Sequence, residues 1–364
     1  MGKNIVYRCL RKIYRILKKI FSFLKFIKKN LDADKITCFP KVIQFPITYK
    51  CNFDCVMCGM RNLLNNDDFS INDIRQILKD KAFSKVEGVG LNGGEPFLRN
   101  DLIECIDELM ECLPKLSYLN IISNGYFTEK ILSVLPEIKS RCKVHNVFLD
   151  LTLSLDAVGE LQDFHRGKKN SFGNLVNTVE KLIKSPCDYY DNLAFNCTIT
   201  KYNIFNICEV ENFAAKYGIH VEYNIAAPNV RIDNKSRVED FYVFNDPLAK
   251  QMAIEFFYKL FRTTNRGKYY ALYLFLKEKK RYSNCPCMNN EWITLTPDSN
   301  ISFCASHSKL LGSAKEKSAY RIIKENKKYL KSIKKECSSC STYISELNFK
   351  GSYLLYKENK KQRF

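Results

Sequence analysis

Apolar residues in the central part of the chain fall into short runs that alternate with amphipathic segments. These runs have the length and β-branched composition of buried strands and lie at residues 42–49, 85–92, 117–123, 146–155, 193–200 and 220–227. Helix-like segments lie between them, near residues 70–81, 101–112, 127–138, 171–184 and 205–217. Because strands that alternate with helices pair in parallel, the pattern predicts an α/β fold in which six βα units form an open barrel over residues 42–240.

The pattern changes after this barrel. Residues 241–282 are typical of a helical connection. Residues 283–345 are rich in cysteine, carry a turn signal at Pro297–Asn300 and a basic helical segment near 318–335, and predict a small second domain. A basic tail follows at residues 346–364.

The amino-terminal segment is strongly basic. Residues 1–30 hold ten Lys or Arg and no acidic residue, which is about half of the net charge of +19. Apolar positions recur every three or four residues between 4 and 29, so we expect an amphipathic helix, followed by a linker at residues 31–41. Such a helix suits an anionic membrane surface, and the alternative is packing on protein. Nucleic-acid binding is disfavoured because it would leave the apolar face unused.

The chain has 16 cysteines, which suggests either disulfides or metal ligands. The basic residues of the amino-terminal segment interrupt any continuous apolar core of a secretory signal, and no apolar stretch reaches the roughly 18 residues of a membrane span. We therefore expect a cytoplasmic protein, attached peripherally to the inner face of the cell membrane, whose clustered cysteines bind metal.

Three cysteines lie in one short loop directly after the first strand. Cys51, Cys55 and Cys58 are spaced so that one iron–sulfur cluster can take three thiolates and keep one iron free for a ligand. The alternative is a zinc site, but zinc usually takes four protein ligands, and no fourth cysteine or histidine lies nearby in sequence.

This loop resembles the C-x-x-x-C-x-x-C motif of the radical S-adenosylmethionine (SAM) superfamily, with Met57 where an aromatic residue often stands. The resemblance continues in the family's order over residues 42–228. The further matching segments are Gly93–Pro96, Ser123–Gly125, Ser154–Asp156 and His165–Gly167.

The resemblance implies a partial (β/α)6 TIM-type barrel that holds a [4Fe–4S] cluster on the three cysteines and SAM at the open iron. Reductive cleavage of SAM then gives a 5′-deoxyadenosyl radical, which abstracts hydrogen from a substrate. An external donor of the flavodoxin or ferredoxin type is expected to supply the electron. The protein supplies position and a dry cavity.

SAM presents an ammonium, a carboxylate and a ribose. We expect the glycine pair and the glutamate after it to meet the ammonium, an arginine to pair with the carboxylate, and short polar side chains at strand ends to hold the ribose. Ser154 and Asp156 are included because their spacing places them on one face of a strand, whereas Asn124 is equally typical of a turn. The predicted SAM-binding residues are Gly93, Gly94, Glu95, Ser123, Asn124, Ser154, Asp156, Arg166 and Asn196.

A second group of cysteines lies in the carboxy-terminal region. The predicted ligands are Cys287, Cys304, Cys337 and Cys340, with Cys285 competing with Cys287 for the first position. A hairpin between the first two would bring them together, and the last two form a C-x-x-C pair. The region resembles the SPASM/twitch extensions of radical SAM enzymes, which implies one auxiliary [4Fe–4S] cluster. A structural zinc site is the alternative.

The sequence thus predicts a radical SAM enzyme whose substrate is either a peptide or a small molecule, such as a sugar of the cell envelope. A non-catalytic iron–sulfur or zinc protein at the membrane surface is the alternative from another class. Glu222 and Asn224 on the sixth strand are placed to face the barrel interior, and no role follows from the sequence for either.

Overall fold

The computed structural model describes residues 36–63 and 68–361, with the side chains at 360 and 361 undescribed. The helix predicted at residues 4–29 and most of the linker after it lie outside these residues, so the membrane-surface prediction is not tested. No helix in the described ranges combines the length and the apolar composition that crossing a bilayer requires.

A single sheet organises the described residues. Its strand order is β6-β5-β4-β3-β2-β1-β7-β8, in which all neighbours are parallel except the antiparallel pair β7 and β8. The strands are β1 Val42–Thr48, β2 Gly88–Gly93, β3 Tyr118–Ser123, β4 Phe148–Ser154, β5 Asn192–Ile199, β6 His220–Ile225, β7 Trp292–Leu295 and β8 Ile301–Ser302. The predicted mixed α/β fold with six sequentially paired parallel strands is confirmed.

Helices follow the strands as crossovers. They are α1 Ile71–Leu78, α2 Leu102–Cys112, α3 Thr128–Val144, α4 Glu160–Arg166, α5 Ser171–Leu182, α6 Pro186–Tyr189, α7 Ile207–Tyr217, α8 Val238–Phe241, α9 Pro247–Thr264, α10 Gly267–Glu278, α11 Ala319–Glu325, α12 Lys327–Ile333 and α13 Phe349–Lys361. Local sequence fixes where several helices begin. Ser70 and Asp73, for example, form a capping box at the amino terminus of α1. The sequence pattern did not predict the short helix α4.

The hydrophobic core lies between the sheet and these helices. Alternate residues of β1, Ile43, Phe45 and Ile47, are fully buried, and the helices that pack on the sheet also bury apolar residues. Parallel strands are joined by helical crossovers, and these crossovers cover the sheet face. The polar ends of the strands are left to converge at their carboxyl edge.

The carboxy-terminal region joins the same sheet. The predicted hairpin exists as β7 and β8, but β7 also pairs in parallel with β1, with Val42 opposite Trp292 and Gln44 opposite Thr294. The basic helix predicted near 318–335 is divided into α11 and α12 at Asn326. The tail predicted at 346–364 contains α13.

Candidate functional site

A cavity of about 390 Å³ opens at the carboxyl ends of strands β1–β6, within the size range of small-ligand sites. Most of the predicted site residues meet here. Those that line the cavity are Cys51, Cys55, Cys58, Gly93, Gly94, Ser123, Asn124, Ser154, Arg166 and Asn196. Of the predicted SAM-binding residues, Glu95 and Asp156 are not on its wall.

The cysteine loop leaves β1 and turns tightly over the cavity. The Cys58 backbone N–H donates to the Cys55 carbonyl at 3.0 Å, and the Phe53 N–H lies 3.5 Å from the Cys51 sulfur. Burial raises the pKa of the Cys51 and Cys55 thiols to about 12 and also raises that of Cys58. Because a metal-bound sulfur is a thiolate, cluster binding would release these protons.

These cysteines share a cavity rather than a tight ring around one point. In residues 36–63 and 68–361, no three Cys, His, Asp or Glu side chains are grouped so that they could hold a single metal ion. A cluster instead distributes its cysteine ligands over separate irons. Three thiols, one buried guanidinium and backbone at a strand end match the donor set that a cluster with bound SAM needs.

Gly93 and Gly94 are required by close packing of two strand ends. A Cβ at Gly93 would lie 2.4 Å from the Thr48 carbonyl oxygen, and one at Gly94 would lie 1.9 Å from the Lys50 carbonyl oxygen. Gly93 also has a φ of +130°, which side chains disfavour. The glycines therefore let β2 press against the segment that leads into the cysteine loop, in addition to lining the cavity.

Glu95 connects the ends of β2 and β3. Its carboxylate accepts from the Ser123 hydroxyl at 2.8 Å, the Asn124 N–H at 2.7 Å and the Phe97 N–H at 3.2 Å. Burial raises its pKa to about 7, against these hydrogen bonds, which lower it. Asn124 in turn donates from its side chain to Asn52 of the cysteine loop at 2.8 Å.

Arg166 is held over the cysteine loop by a buried carboxylate. Its Nη2 lies 2.8 Å from Asp156 Oδ2, its Nη1 lies 3.9 Å from the Cys55 sulfur, and its Nε is buried without a partner among the described residues. Asp156 also contacts His165 Nδ1 at 2.8 Å and accepts from the Thr198 N–H at 2.7 Å. Burial alone would raise the pKa of Asp156, but the charge of Arg166 and the His165 contact outweigh it and lower that pKa.

Short polar side chains line the cavity along β4, β5 and β6. Ser154 is in register with Asn196, and Thr198 is in register with Asn224. Asn224 Nδ2 donates to Asn196 Oδ1 at 2.8 Å. These contacts make Asn224, which the sequence left without a role, a wall residue of the same cavity.

Arg231 and Asn92 also reach the cavity, and sequence reasoning missed both. Arg231 lies in the loop after β6 and donates from Nη1 to Asn92 Oδ1. A single arginine in a loop carries no local signal of such a position. Asn92 directly precedes the glycine pair on β2, and this neighbourhood was the signal that could have identified it.

Comparison with known proteins identifies the part of the chain that forms most of the cavity. Residues 45–213 match the family model of the radical SAM superfamily. This part of the chain is a radical SAM domain. The match begins in β1 and ends in α7, so it includes the cysteine loop and the strand ends that form most of the cavity wall.

Sequence relatives of the radical SAM domain include two kinds of enzyme. The mycofactocin maturase MftC of Mycolicibacterium smegmatis is 25% identical over 207 residues, covering 56% of this chain and 47% of that protein. A probable GTP 3',8-cyclase of Sulfurisphaera tokodaii is 25% identical over 268 residues, covering 72% of this chain and 80% of that protein. The alignment thus spans about half the length of the maturase. Maturases and cyclases of this superfamily are enzymes.

Solved structures share the fold. The Streptococcus suis protein SuiB bound to the precursor peptide SuiA matches with a TM-score of 0.58 and 14% identity, over 84% of this chain and 69% of SuiB. The protein anSMEcpe with bound AdoMet and the Cp18Cys peptide matches with a TM-score of 0.58 and 17% identity, over 89% of this chain and 97% of that one. At these identities the likeness shows the fold alone.

Beyond the radical SAM domain, the second group of cysteines also converges on one pocket. The five cysteines that line it are Cys285, Cys287, Cys304, Cys337 and Cys340. A hydrogen bond between the first two thiols lowers the pKa of Cys285 to about 6 and raises the pKa of Cys287 well above its usual value. Both remain candidates for the first ligand position.

The segment after Cys340 separates the two pockets. Thr342 and Tyr343 line both of them, and Tyr343 has a positive φ of 54°. Arg281 holds this segment, donating to the carbonyls of Thr342 at 2.8 Å and Tyr343 at 2.6 Å. Substrate in the first cavity and metal in the second would therefore share one wall.

Proposed function

We propose that the chain is a radical SAM enzyme that binds a [4Fe–4S] cluster through Cys51, Cys55 and Cys58 and cleaves SAM reductively. The observation that carries the proposal is the single cavity that these cysteines share with Gly93–Gly94, Arg166 and the polar ends of β4 and β5. Cluster and SAM together would supply a 5′-deoxyadenosyl radical for hydrogen abstraction.

The residues of the cavity divide into those that contact SAM and those that act through a neighbour. Gly93 and Gly94 offer backbone to the ammonium, Arg166 pairs with the carboxylate, and Ser154 and Asn196 hold the ribose or the base. The Asn124 and Ser123 backbone closes the same edge.

Glu95 and Asp156 act indirectly in this proposal, which revises what the resemblance implied. The oxygens of Glu95 are occupied by the ends of β2 and β3, so it fixes the edge that SAM contacts. Asp156 fixes Arg166 and is fully buried away from the cavity. The alternation of a strand does not reach Asp156, because β4 ends at Ser154.

We further propose one auxiliary [4Fe–4S] cluster in the second cysteine pocket. Cys304, Cys337, Cys340 and either Cys285 or Cys287 make a complete ligand set. Zinc takes the same donor atoms, but in the described ranges no three such side chains are grouped around a single ion, and metal analysis distinguishes the two. Serine variants of Cys285 and Cys287, each analysed for iron and for its electron paramagnetic resonance signal, decide which of the two is a ligand.

We infer that the substrate is a peptide. In support, MftC is named a maturase, and SuiB has been solved bound to a precursor peptide. The match to the SuiB fold covers 84% of this chain. The cyclase relative makes a nucleotide the competing substrate class.

The electron would come from a flavodoxin- or ferredoxin-type donor in the cytoplasm, and residues 4–29 would place the enzyme at an anionic membrane surface.

The test of the core activity is anaerobic reconstitution with iron and sulfide, followed by dithionite and SAM and measurement of 5′-deoxyadenosine. We expect formation by the wild type and none by Cys55→Ala, with a loss of about four irons per chain. Cys208→Ala is the matched control, since Cys208 is exposed and lines neither cysteine pocket. No 5′-deoxyadenosine from wild type would favour the non-catalytic alternative, and formation by Cys55→Ala would refute the cluster assignment.

The substrate class is tested in the same assay. Peptides encoded beside the gene and GTP are incubated separately with the reconstituted enzyme, and the products are analysed by mass spectrometry. A mass change in a peptide that requires SAM supports the proposal. Conversion of GTP alone would assign the enzyme to the nucleotide class.

A further inference from the structure

A buried lysine lies behind the cavity wall and contacts one of the residues that form this wall. Lys268, at the start of α10, is 8% exposed. Its Nζ donates to Asn224 Oδ1 at 2.9 Å and to the Glu222 carboxylate. Asn224 then donates to Asn196, and both amides line the cavity. The contacts form one line from Lys268 through Asn224 to Asn196.

The chemistry of lysine fixes the direction of every hydrogen bond in this line. An ammonium only donates, so Asn224 must turn its oxygen toward Lys268. The Asn224 NH₂ group then faces Asn196 and requires an oxygen there. Asn196 must therefore turn its own NH₂ group away from Asn224, on a side chain that lines the cavity. The cavity receives an N–H donor at this position.

The ammonium is itself held in place. Glu222 accepts from Lys268 and from Arg266, whose Nη1 lies 2.6 Å from Glu222 Oε2. Such a charged pair costs desolvation free energy, which offsets much of its Coulombic gain. What the ion pair provides beyond stability is a fixed orientation for two amides that could otherwise flip.

We propose that Lys268 is a positioning residue for the cofactor site: through Asn224 it sets Asn196 as a hydrogen-bond donor to an acceptor atom of the bound adenosyl group, a ring nitrogen or a ribose oxygen. The inference rests on the proposed function, since it takes SAM as the occupant. It adds residues of β6 and α10 that lie outside the matched part of the radical SAM domain.

The decisive variant is Asn224→Asp, which keeps the shape and the contact with Lys268 but can only accept. Asn196 must then donate to the introduced carboxylate and turn its oxygen to the cavity, so the donor is lost. We expect the SAM dissociation constant of the reconstituted enzyme, measured by equilibrium dialysis, to rise about tenfold. The added negative charge would by itself attract the SAM sulfonium, so a loss of affinity cannot come from charge alone.

Further variants separate positioning from mere stability. Asn196→Ala should weaken SAM binding by a similar factor, and adding it to Asn224→Asp should weaken binding no further, because both changes remove one donor. Lys268→Met should give the same loss, and Lys268→Arg, which also only donates, should recover part of it. Asn146→Asp, at an exposed turn before β4, is the control and should bind as wild type does.

The outcomes are distinguishable. An Asn224→Asp enzyme that keeps its iron and binds SAM within about twofold of wild type overturns the positioning role and leaves the proposed function standing. Losses that multiply in the double variant also overturn it, since they would show independent contributions. A wild-type enzyme that binds no SAM ends both proposals.

Discussion

Arg166 and Asp156 form a buried ion pair, with Nη2 and Oδ2 2.8 Å apart, that aims one face of the guanidinium at the cysteine loop. The side chain of Asp156 is fully buried, and that of Arg166 is 10% exposed. With Asp156 holding one side of the guanidinium in place, its remaining N–H groups are available to an anion in the cavity. The pair therefore links the stability of the β4 end to the binding of SAM.

Replacement of Asp156 by Asn should destabilise the protein by about 3 kcal/mol, because it leaves a buried guanidinium without its counter-charge. The amide oxygen of the introduced side chain could still accept from the Thr198 N–H, so the local backbone should persist. The free energy of unfolding in urea under reducing conditions measures the effect. SAM affinity should fall in the same variant.

The control for Asp156 is an exposed ion pair. Glu129→Gln removes the partner of Lys181 at a carboxylate that is 82% exposed, and its unfolding midpoint should match wild type. Equal midpoints for Asp156→Asn and wild type would show that Arg166 finds another counter-charge.

Sequence reasoning located those cavity residues that lie together in short contiguous segments. The spacing of Cys51, Cys55 and Cys58 and the run Gly93–Pro96 are local, so their residue types and intervals are visible without a structure. The order of β1–β6 followed from the alternation of strands and helices, since each parallel pair needs a crossover.

Residues brought in from distant elements could not be found this way. Lys268 and Arg231 reach the cavity region from α10 and from the loop after β6, and an isolated basic residue carries no sequence signal of its partner. The pairing of β7 with β1 joins segments about 250 residues apart, and a four-residue strand does not encode which edge it extends. Such placements depend on packing of the whole chain.

Gly94→Ala should lower the free energy of unfolding far more than Gly88→Ala, a change at the start of β2. Its Cβ would lie 1.9 Å from the Lys50 carbonyl oxygen, so the backbone before the cysteine loop must shift. We expect a loss of about 3 kcal/mol in unfolding free energy and a lower iron content after reconstitution. Gly88→Ala, whose Cβ would have no neighbour nearer than 3.5 Å, should stay within about 1 kcal/mol of wild type. Similar losses in the two variants would contradict the packing argument.

Arg281→Met should remove metal from the second pocket alone. Arg281 is buried and donates to the backbone of Ser283 as well as to the carbonyls of Cys340, Thr342 and Tyr343, so its loss frees the wall of that pocket. Iron should fall from about eight to about four atoms per chain.

SAM cleavage without substrate should continue in Arg281→Met, because the cysteine loop and Gly93–Gly94, which hold the cluster and SAM in the proposal, are not part of the Thr342–Tyr343 segment that Arg281 holds. The neighbouring exposed residue gives the control, and Lys280→Met should keep all its iron. A variant that loses all iron, or none, would show that the two cysteine groups are not held independently.

Glu222 should make the folded state sensitive to acid. Burial alone would raise its pKa, but the hydrogen bond from His220, the charge of Lys268 and the hydrogen bonds from Arg266 and Lys268 outweigh it and hold that pKa well below the usual range. The unfolded chain then binds a proton at Glu222 at a higher pH than the folded chain does. The stability it contributes is present above about pH 4.5 and is lost as the pH falls toward the folded pKa.

Unfolding free energies measured between about pH 6 and about pH 3.5 should fall more steeply for wild type than for Glu222→Gln. Parallel curves would mean that Glu222 binds its proton equally well in the folded and the unfolded chain, and the orientation of Lys268 and Asn224 would then need another cause.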